Sequence, residues 1–548
     1  MIFNVIKKIT GIERDSKIQG AAGVLKYAAD ILLYFAVLFY LIVTGVLLPL
    51  YLPGYDSLGT DKGQFWVKGI LLSGKILLIP LAFYVLYVIV RVVTSGGKSG
   101  KICFPKRTSF TRTDIWAVLF CVSVIISYAL SEEKQIALYG ERGWYLGTIS
   151  YLSVGIGVLV IPRLGKAKNP ILPFIMVTSF AASMIGVIMD FAGNVLGAEG
   201  WDAGKVSTIG NPNWFCGYLV TVMFAGVAAF YFRREGGVRK YIAYVPCLIV
   251  YMIVTFYMMI AQGSASAYLA SWAVLLAMLM IAGKEPDAVH DITFVCMIFA
   301  ISNALHAVYI AAGGVSRPND PVGRLLENPV FAVLMLAACV VVNRVAGSYL
   351  KKGKNKVNVN IGKVLAIITG CAVLVFAFLL IINTVTGSGF LGKEGSLFWF
   401  DYRWGSSRGA TLSLGMEVFR GMTPFEKLFG KGPDTFYSFM ISGRFPETAA
   451  KSNEYFGGAR LTNTHCEFLT MLVNTGIAGT VTFYGLMISV MIKGFRTRSV
   501  TALACSLGIL AYIINNIFSF QTAVNVSQLA LILGFGAWAV MCDKSEDR

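Results

Sequence analysis

Apolar stretches long enough to cross a lipid bilayer recur along almost the whole chain. A span through a hydrocarbon core of roughly 30 Å needs about twenty apolar residues, and such stretches follow one another from Asp30 to Met541. Apolar residues make up 56% of the 548 residues and charged residues only 14%, which leaves a water-soluble protein of this size too little polar surface. The sequence therefore predicts an all-α polytopic membrane protein.

The apolar stretches predict about fourteen transmembrane helices. We expect the first helix to be retained, because its stretch lacks a cleavage site placed like that of a secretory signal peptide. The expected spans are Asp30–Tyr51, Gly69–Val93, Asp114–Leu130, Trp144–Ile161, Ile171–Met189, Trp214–Phe232, Tyr241–Ile260, Ala265–Ala282, Ile292–Ala312, Pro329–Val345, Val364–Thr386, Cys466–Ile492, Ser499–Phe520 and Val526–Cys542.

The basic residues predict which helix ends face the cytoplasm. The chain carries 47 Lys and Arg against 29 Asp and Glu, and the basic residues cluster in short loops at alternate crossings, which argues against a nucleic-acid partner. The positive-inside rule then places both termini on the cytoplasmic side of a multi-pass protein in the inner or plasma membrane. Residues 1–386 form an N-terminal bundle of about eleven helices, residues 387–465 an extracytoplasmic loop region between the eleventh and twelfth helices, and residues 466–548 the C-terminal helices.

The loop region is the only predicted soluble segment large enough to carry a site. Its composition is mixed rather than of low complexity, so we expect it to fold against the helices. The stretch Ser407–Met422 places Leu412, Met416 and Phe419 at helical spacing and predicts an amphipathic helix at the interface. An ordinary loop helix without a catalytic part explains the same spacing.

Groups able to perform catalysis are few. The sequence contains no HExxH, paired CxxC or P-loop pattern, and its GxSxG match, Gly405 to Gly409, stands in a chain predicted to be all-α, without the strand that a nucleophile elbow needs. Hydrolytic metal or serine chemistry is therefore disfavoured, and we expect no metal and no cofactor. Of three histidines, His465 is expected at the membrane surface, where an imidazole can accept a proton from a hydroxyl nucleophile. A polar residue at the start of a helix is the alternative interpretation. His306 is expected to be a bundle-interior residue, and His290 a solvated one.

Arginines on the extracytoplasmic side are the second set of residues that could take part in binding or catalysis. A planar guanidinium binds phosphate oxygens in pairs and keeps its charge at any relevant pH. A lipid-linked diphosphate is one suitable anion, and anionic lipid headgroups are the alternative. The arginines that fall outside in this topology are Arg142, Arg317, Arg324, Arg403, Arg408, Arg420, Arg444 and Arg460.

Several stretches resemble the O-antigen ligase and O-antigen polymerase superfamily, whose members transfer undecaprenyl-linked saccharides. Ser407-Arg408 precedes a short helix, Leu428-Phe429-Gly430-Lys431-Gly432-Pro433-Asp434-Thr435-Phe436 is similar to the family's LxGxGPxxF turn, and His465 opens a helix before Gly476 and Gly479. Two weaker stretches agree in order and in side of the membrane, namely Gly140-Glu141-Arg142-Gly143-Trp144 and Gly210-Asn211-Pro212-Asn213. The resemblance extends from about Tyr139 to Gly479.

The resemblance implies a GT-C-like helical architecture and a metal-independent glycosyltransferase. The donor would be an undecaprenyl diphosphate-linked saccharide, and the acceptor a hydroxyl of a glycan, lipid or protein outside the membrane. His465 would be the catalytic residue. The residues implied to bind the diphosphate or substrate are Arg142, Arg408, Arg403, Asn211 and Asn213.

The sequence departs from the family in one place that concerns phosphate binding. Gly263-Ser264-Ala265-Ser266 has alanine where the family often has arginine, and Arg317 or Arg324 could replace that contact. Glu467, two residues after His465, is a further possible site residue.

Other functions stay open. The sequence does not distinguish a ligase from a polymerase, nor does it identify the sugar, linkage, acceptor, oligomeric state or envelope type. A lipid-linked saccharide flippase or other transporter is the alternative from a different class, although the spans lack the succession of charged residues that proton-coupled transporters use. A non-catalytic partner of an envelope assembly system is a third interpretation.

Overall fold

The computed structural model describes residues 2–13, 20–51, 58–99, 110–192, 207–234, 244–317, 321–351, 360–394 and 396–546. Within these ranges the regular elements are helices and no β-strand occurs. Numbered in chain order, the helices are α1 Ile2–Thr10, α2 Gly20–Leu50, α3 Leu58–Ser99, α4 Arg112–Leu130, α5 Lys134–Tyr139, α6 Thr148–Leu164, α7 Ile171–Asp190, α8 Pro212–Tyr231, α9 Val245–Ala261, α10 Ala265–Ala282, α11 Pro286–Ala311, α12 Pro321–Glu327, α13 Pro329–Lys351, α14 Ile361–Thr386, α15 Trp404–Gly421, α16 Pro424–Phe429, α17 Phe436–Met440, α18 Pro446–Phe456, α19 Glu467–Asn474, α20 Gly476–Phe495, α21 Val500–Asn515 and α22 Ala523–Glu546.

Eleven of the described helices are long and apolar enough to cross a membrane, namely α2, α3, α4, α7, α8, α10, α11, α13, α14, α20 and α22. Three shorter apolar helices, α6, α9 and α21, coincide with further predicted spans. The predicted all-helical, membrane-embedded class is confirmed. The count of about fourteen spans and the GT-C-like architecture stay predictions. The predicted start of the seventh span, residues 241–243, lies outside the described residues.

Polar contacts join helix ends at one end of the bundle, which we call the terminal end. The Lys168 amide donates to the Thr10 carbonyl at 2.8 Å, and Trp538 Nε1 donates to the Gly165 carbonyl at 2.6 Å. The first and last helices therefore both reach this end. Further contacts here join Arg163 to Asp114, Lys493 to Thr113 and Arg233 to Asp291.

The opposite end of the bundle, which we call the loop end, is joined by contacts between other helix termini. The Ser127 hydroxyl donates to the Asn474 carbonyl at 2.8 Å, and the Ser266 hydroxyl donates to Asn515 Oδ1 at 2.9 Å. A third bond runs from the Thr208 hydroxyl to the Pro49 carbonyl at 2.7 Å. Helix starts and ends thus alternate between the two ends, as a bundle of antiparallel spans requires.

The loop region has a small hydrophobic core of its own. Because Val473 of α19 belongs to this core, the loop region packs against the helices, as predicted. Burying these side chains is the main force that can hold a surface segment on a bundle. The core consists of Leu414, Val418, Met422, Phe436, Phe439, Met440, Phe445, Leu461 and Val473.

The predicted amphipathic helix exists as α15, and the face that packs on the protein differs from the predicted apolar stripe. The buried face carries Leu414 and Val418, while Met416 is exposed. Small residues make the closest packing, since a Cβ on Gly415 would lie 2.5 Å from the Thr464 methyl carbon. A count of large apolar side chains does not register such a contact. The stripe had been placed on Leu412, Met416 and Phe419.

The predicted twelfth span, Cys466–Ile492, is divided into two helices, α19 and α20. The division falls at Gly476, whose φ of +69° is a left-handed conformation that favours glycine. A Cβ at this position would lie 2.4 Å from the Leu428 carbonyl oxygen. The absence of a side chain therefore lets the loop region approach the start of α20.

Replacing Gly476 by alanine should destabilise the protein by about 1–3 kcal/mol, because the backbone is left-handed and the methyl group would meet a carbonyl. Thermal unfolding of the purified protein in detergent measures the loss. Gly370 of α14 is the matched control, since a Cβ there meets nothing within 4 Å. An unfolding midpoint that falls no further in Gly476→Ala than in Gly370→Ala would contradict the assignment.

Candidate active site

His465 lies at the loop end, two residues before α19, with a left-handed φ of +52°. Its amide donates to Asn463 Oδ1 at 3.1 Å, and its ring meets Phe520 edge to face with centroids 4.8 Å apart. The Nδ1 atom is buried without a hydrogen-bond partner. Burial and, second, the positive charge of Arg408 lower the pKa of the imidazole to about 4. The imidazole is therefore neutral at neutral pH.

Arg408 binds the chain segment that also supports His465. Its Nε donates to the Phe518 carbonyl at 2.8 Å, and its NH1 donates to the Gly405 carbonyl at 2.9 Å. Phe518 and Phe520 both belong to the connection between α21 and α22. The structure thus brings two of the predicted site residues together across a single short segment.

The turn that carries Arg142 is held by a residue of the loop region. The amides of Glu141 and Leu146 donate to the same carboxylate oxygen of Asp434, at 2.7 and 3.1 Å. Trp144 of this turn meets Phe520 edge to face at 5.1 Å. Arg142 is exposed and makes no hydrogen bond or ion pair with the residues that the structure describes. Its guanidinium is therefore exposed on a turn that packs against Phe520 through Trp144.

The predicted GNPN turn contacts the same group of residues through a tryptophan. Trp214 meets Trp144 at 5.3 Å between ring centroids. The Asn211 side chain caps α8 by accepting from the amides of Asn213 and Trp214 at 2.9 and 3.3 Å. Its oxygen is thereby occupied by the helix terminus, whereas the Asn213 side chain is exposed.

Arg317 lies near the expected position of the arginine that the Gly263 turn lacks, but a carboxylate holds it. It forms a two-pronged ion pair with Asp190, and its NH1 also donates to the Ala261 carbonyl at 3.3 Å. The Asp190 carboxylate already neutralises the positive charge of Arg317, which would otherwise be available to bind a phosphate. Arg324 is exposed on α12.

Arg403 and Arg408 are close in sequence but differ in environment. The Arg403 side chain is exposed, and its Nε donates to the Tyr402 hydroxyl at 2.9 Å. The residues between them, from Gly405 to Ser407, all have left-handed backbone. This run turns Arg408 into the site while Arg403 stays at the surface.

Two buried carboxyl groups lie behind the rings of Trp144 and Phe520. Asp434 and Glu467 line one small cavity there. Burial raises the pKa of Asp434 to about 7 and that of Glu467 to about 8. Glu467 Oε2 accepts from the Gln521 amide at 3.0 Å. Glu467 is thus a buried neighbour of His465, rather than a group at the surface.

Sequence reasoning named Asp434 within a motif but gave it no role. An aspartate that follows Gly-Pro in a tight turn commonly accepts backbone N–H groups, and that signal would have singled it out. The Gln521 side chain lines the same cavity.

The other histidines lie outside this group. His306 is buried in α11 with its Nε2 3.5 Å from Glu327 Oε1, which agrees with a bundle-interior residue. His290, predicted to be solvated, lies near the terminal end with its side chain 29% exposed and its Nδ1 enclosed. Asn343 Nδ2 of α13 donates to the His290 carbonyl at 3.0 Å, which joins α13 to α11 at this residue.

Backbone strain coincides with the site. Among the described residues, positive φ angles outside glycine occur only in or next to the stretches discussed above. Such conformations persist only where the surrounding structure imposes them, and they are often found at functional sites. The residues are Tyr145, Ser207, Ser406, Ser407, Asp434 and His465.

Comparison with known proteins adds no assignment, since no family model and no curated protein matches the chain. Among the described residues, no group of three or more His, Cys, Asp or Glu side chains is arranged to hold a metal ion.

Replacing Asp434 by alanine should release the Arg142 turn, because two buried amides lose their acceptor at about 1–3 kcal/mol each. Hydrogen–deuterium exchange of the peptide that contains Glu141 and Leu146 measures the release. Asp434→Asn retains an amide oxygen and should preserve most of the protection. Native protection in Asp434→Ala would show that the contact does not hold the turn.

Proposed function

We propose that this protein is a glycosyltransferase that moves a saccharide from an undecaprenyl diphosphate donor to an acceptor hydroxyl at the extracytoplasmic membrane surface. One observation carries the proposal: a neutral imidazole, His465, and a guanidinium, Arg408, meet on the Phe518–Phe520 segment. The turn that carries the exposed Arg142 packs on the same segment through Trp144. A proton acceptor next to anion-binding groups is the combination that such a transfer requires. The strained backbone at these residues supports a functional role.

In the proposed reaction the acceptor hydroxyl oxygen forms a bond to the anomeric carbon of the donor saccharide. The bond from that carbon to the diphosphate oxygen breaks, and its electron pair leaves with the diphosphate. The hydroxyl proton passes to the neutral imidazole of His465. Arg408 and Arg142 stabilise the negative charge on the departing diphosphate, with Arg403 and Asn213 available at the exposed edge. The resemblance to the O-antigen ligase superfamily implies that the anomeric configuration inverts.

The donor is proposed to approach from the membrane. A polyprenyl diphosphate places its charged group at the lipid surface, and the loop end lies where the apolar helices α4, α20 and α22 end or begin. The distribution of Lys and Arg assigns the terminal end to the cytoplasm, so the site would face outward. The acceptor is a glycan, lipid or protein hydroxyl.

His465→Ala and Arg408→Ala should each lower the yield of assembled glycan by about 10²-fold or more, because proton transfer and charge stabilisation each contribute about 10²–10⁴. Analysis of surface glycan and of lipid-linked intermediates in complemented deletion strains measures the loss. Accumulated single repeats would indicate a polymerase, and accumulated finished chains a ligase.

His290→Ala and Arg420→Ala are matched controls, since both residues lie apart from the Phe518–Phe520 segment. They should retain normal assembly at equal protein levels. Normal product in both His465→Ala and Arg408→Ala strains would remove the proposal. Lipid movement without sugar transfer by the purified protein in liposomes would favour the flippase alternative.

The orientation makes a separate prediction. Green fluorescent protein fused after Arg548 should fluoresce, because the terminal end is assigned to the cytoplasm. Alkaline phosphatase inserted between Gly457 and Gly458, both exposed in the loop region, should be active because it folds outside. The opposite pair of outcomes would place the candidate site in the cytoplasm.

A further inference from the structure

The connection between α21 and α22, residues 516–522, carries both contacts that bring the candidate site together. The Phe518 carbonyl accepts a hydrogen bond from Arg408, and the Phe520 ring packs on His465. The connection is not helical, so contacts with other parts of the chain must fix its position. The groups that hold its two ends therefore also set the imidazole against the guanidinium.

Glu467, the first residue of α19, contacts this connection at both ends. Its amide donates to the Asn516 carbonyl at 3.0 Å, and its carboxyl oxygen Oε2 accepts from the Gln521 amide at 3.0 Å. Asn516 stands two residues before Phe518, and Gln521 directly follows Phe520. The backbone bond does not need the side chain, whereas the bond to Gln521 depends on it. The Glu467 carboxyl group thus fixes the Phe520 end of the connection.

The surroundings of this carboxyl group favour its neutral form. Glu467 is 2% exposed, and burial raises its pKa to about 8, although the bond from the Gln521 amide favours the charged form. None of the ionisable groups that face it is a cation that would stabilise a carboxylate. These groups are Asp434 of the loop region, Tyr151 of α6, Tyr484 of α20, Tyr512 of α21 and the adjacent Cys466.

A neutral acid can accept one hydrogen bond and donate another in this place. While Oε2 accepts from the Gln521 amide, Oε1 has no partner among the described residues and can carry the proton. The adjoining cavity has room for about one water molecule, which can accept this proton and donate to Asn474 Oδ1. A glutamine side chain offers the same pairing, an acceptor oxygen beside N–H donors, in nearly the same shape. The contact therefore needs no negative charge.

We propose that Glu467 is a positioning residue for the transfer reaction, which as a neutral acid holds the connection before α22 and thereby sets His465 against Arg408. This role rests on the proposed function. Glu467 acts through Phe520 and not on the reacting atoms. If the Phe520 end were released, the imidazole would lose the ring on which it packs, and a displacement of about 1 Å can cost about 10²-fold in rate.

Glu467→Ala and Glu467→Asp should each lower the yield of assembled glycan by about tenfold to 10²-fold, because the first removes the acceptor of the Gln521 amide and the second withdraws it. Glu467→Gln should retain nearly the wild-type yield, because it keeps the oxygen and the shape. Glu417→Ala is the matched control, since it removes a carboxylate paired with Lys451 in the loop region, and it should assemble glycan normally. Surface glycan in complemented deletion strains at equal protein levels is the measurement.

Hydrogen–deuterium exchange of the purified full-length protein tests the hold on the connection directly. The peptide that contains Gln521 should exchange faster in Glu467→Ala than in the wild type, because the Gln521 amide loses its acceptor. Glu467→Gln should keep the wild-type protection. Equal protection in Glu467→Ala would show that the carboxyl group does not hold the connection and would overturn the proposal.

Thermal unfolding in detergent tests the proton on Glu467. The ordinary pKa of a glutamate is 4.5 and that of the buried Glu467 is about 8, so between these pH values the folded state holds a proton that the unfolded state has lost. The stability of the wild type should therefore fall with rising pH across this interval relative to that of Glu467→Gln. A difference that stays constant, or that changes in favour of the wild type, would show that the folded protein holds a carboxylate and would overturn the proposal.

The His465→Ala and Arg408→Ala strains separate a failure of this inference from a failure of the proposed function. Normal glycan in Glu467→Ala beside a loss in His465→Ala overturns the positioning role alone, whereas normal glycan in both His465→Ala and Arg408→Ala overturns the transfer reaction and the positioning role together. A yield in Glu467→Gln as low as in Glu467→Ala, or a Glu467→Gln protein that does not fold, overturns the neutral-acid role. If Glu467→Ala does not fold, Glu467→Asp takes its place in each comparison, and the unfolding of Glu467→Gln against pH decides independently of both.

Discussion

The carboxylate of Asp434 is the contact on which the arrangement of the site depends. One of its oxygens accepts hydrogen bonds from the amides of Glu141 and Leu146. The loop region is thereby joined to the connection between α5 and α6, although some three hundred residues separate the two in the sequence. The bond places Trp144 against Phe520, and Phe520 against His465. Without this acceptor, the Arg142 turn would be joined to the loop region by the Glu141–Arg460 ion pair, in which the arginine is exposed, and to Phe520 by ring contact.

Properties that repeat along the sequence were predictable. Backbone groups in a bilayer must satisfy one another within the helix, so apolar length alone locates spans such as α10, whose bounds Ala265–Ala282 agree with the predicted ones. His465 and Arg408 could be predicted as candidate site residues, because groups able to perform catalysis are scarce in so apolar a chain. Their meeting on the Phe518–Phe520 segment was not, since that segment carries no signal of its own.

Properties that depend on tertiary contact escaped prediction. The buried face of α15 is set by how closely Gly415 approaches Thr464, and periodicity counts only large side chains. Arg317 resembled a free anion-binding group until its pairing with Asp190 was seen. Glu467 gives a third example, because its burial between Asp434 and Gln521 arises from a cavity shared by three distant segments.

The left-handed residues explain how a bundle of regular helices presents an irregular site. A helix offers side chains only at fixed angles, so convergence on one point needs backbone that leaves the helical conformation. Ser406 and Ser407 turn the chain just before Arg408, and Asp434 and His465 turn it at the residues that make the key contacts. Each such conformation costs about 1–3 kcal/mol, and it is kept only where neighbouring contacts enforce it. The hydrogen bonds of Asp434 and the packing of Phe520 supply that enforcement, so the fold that creates the strain also holds the site in place.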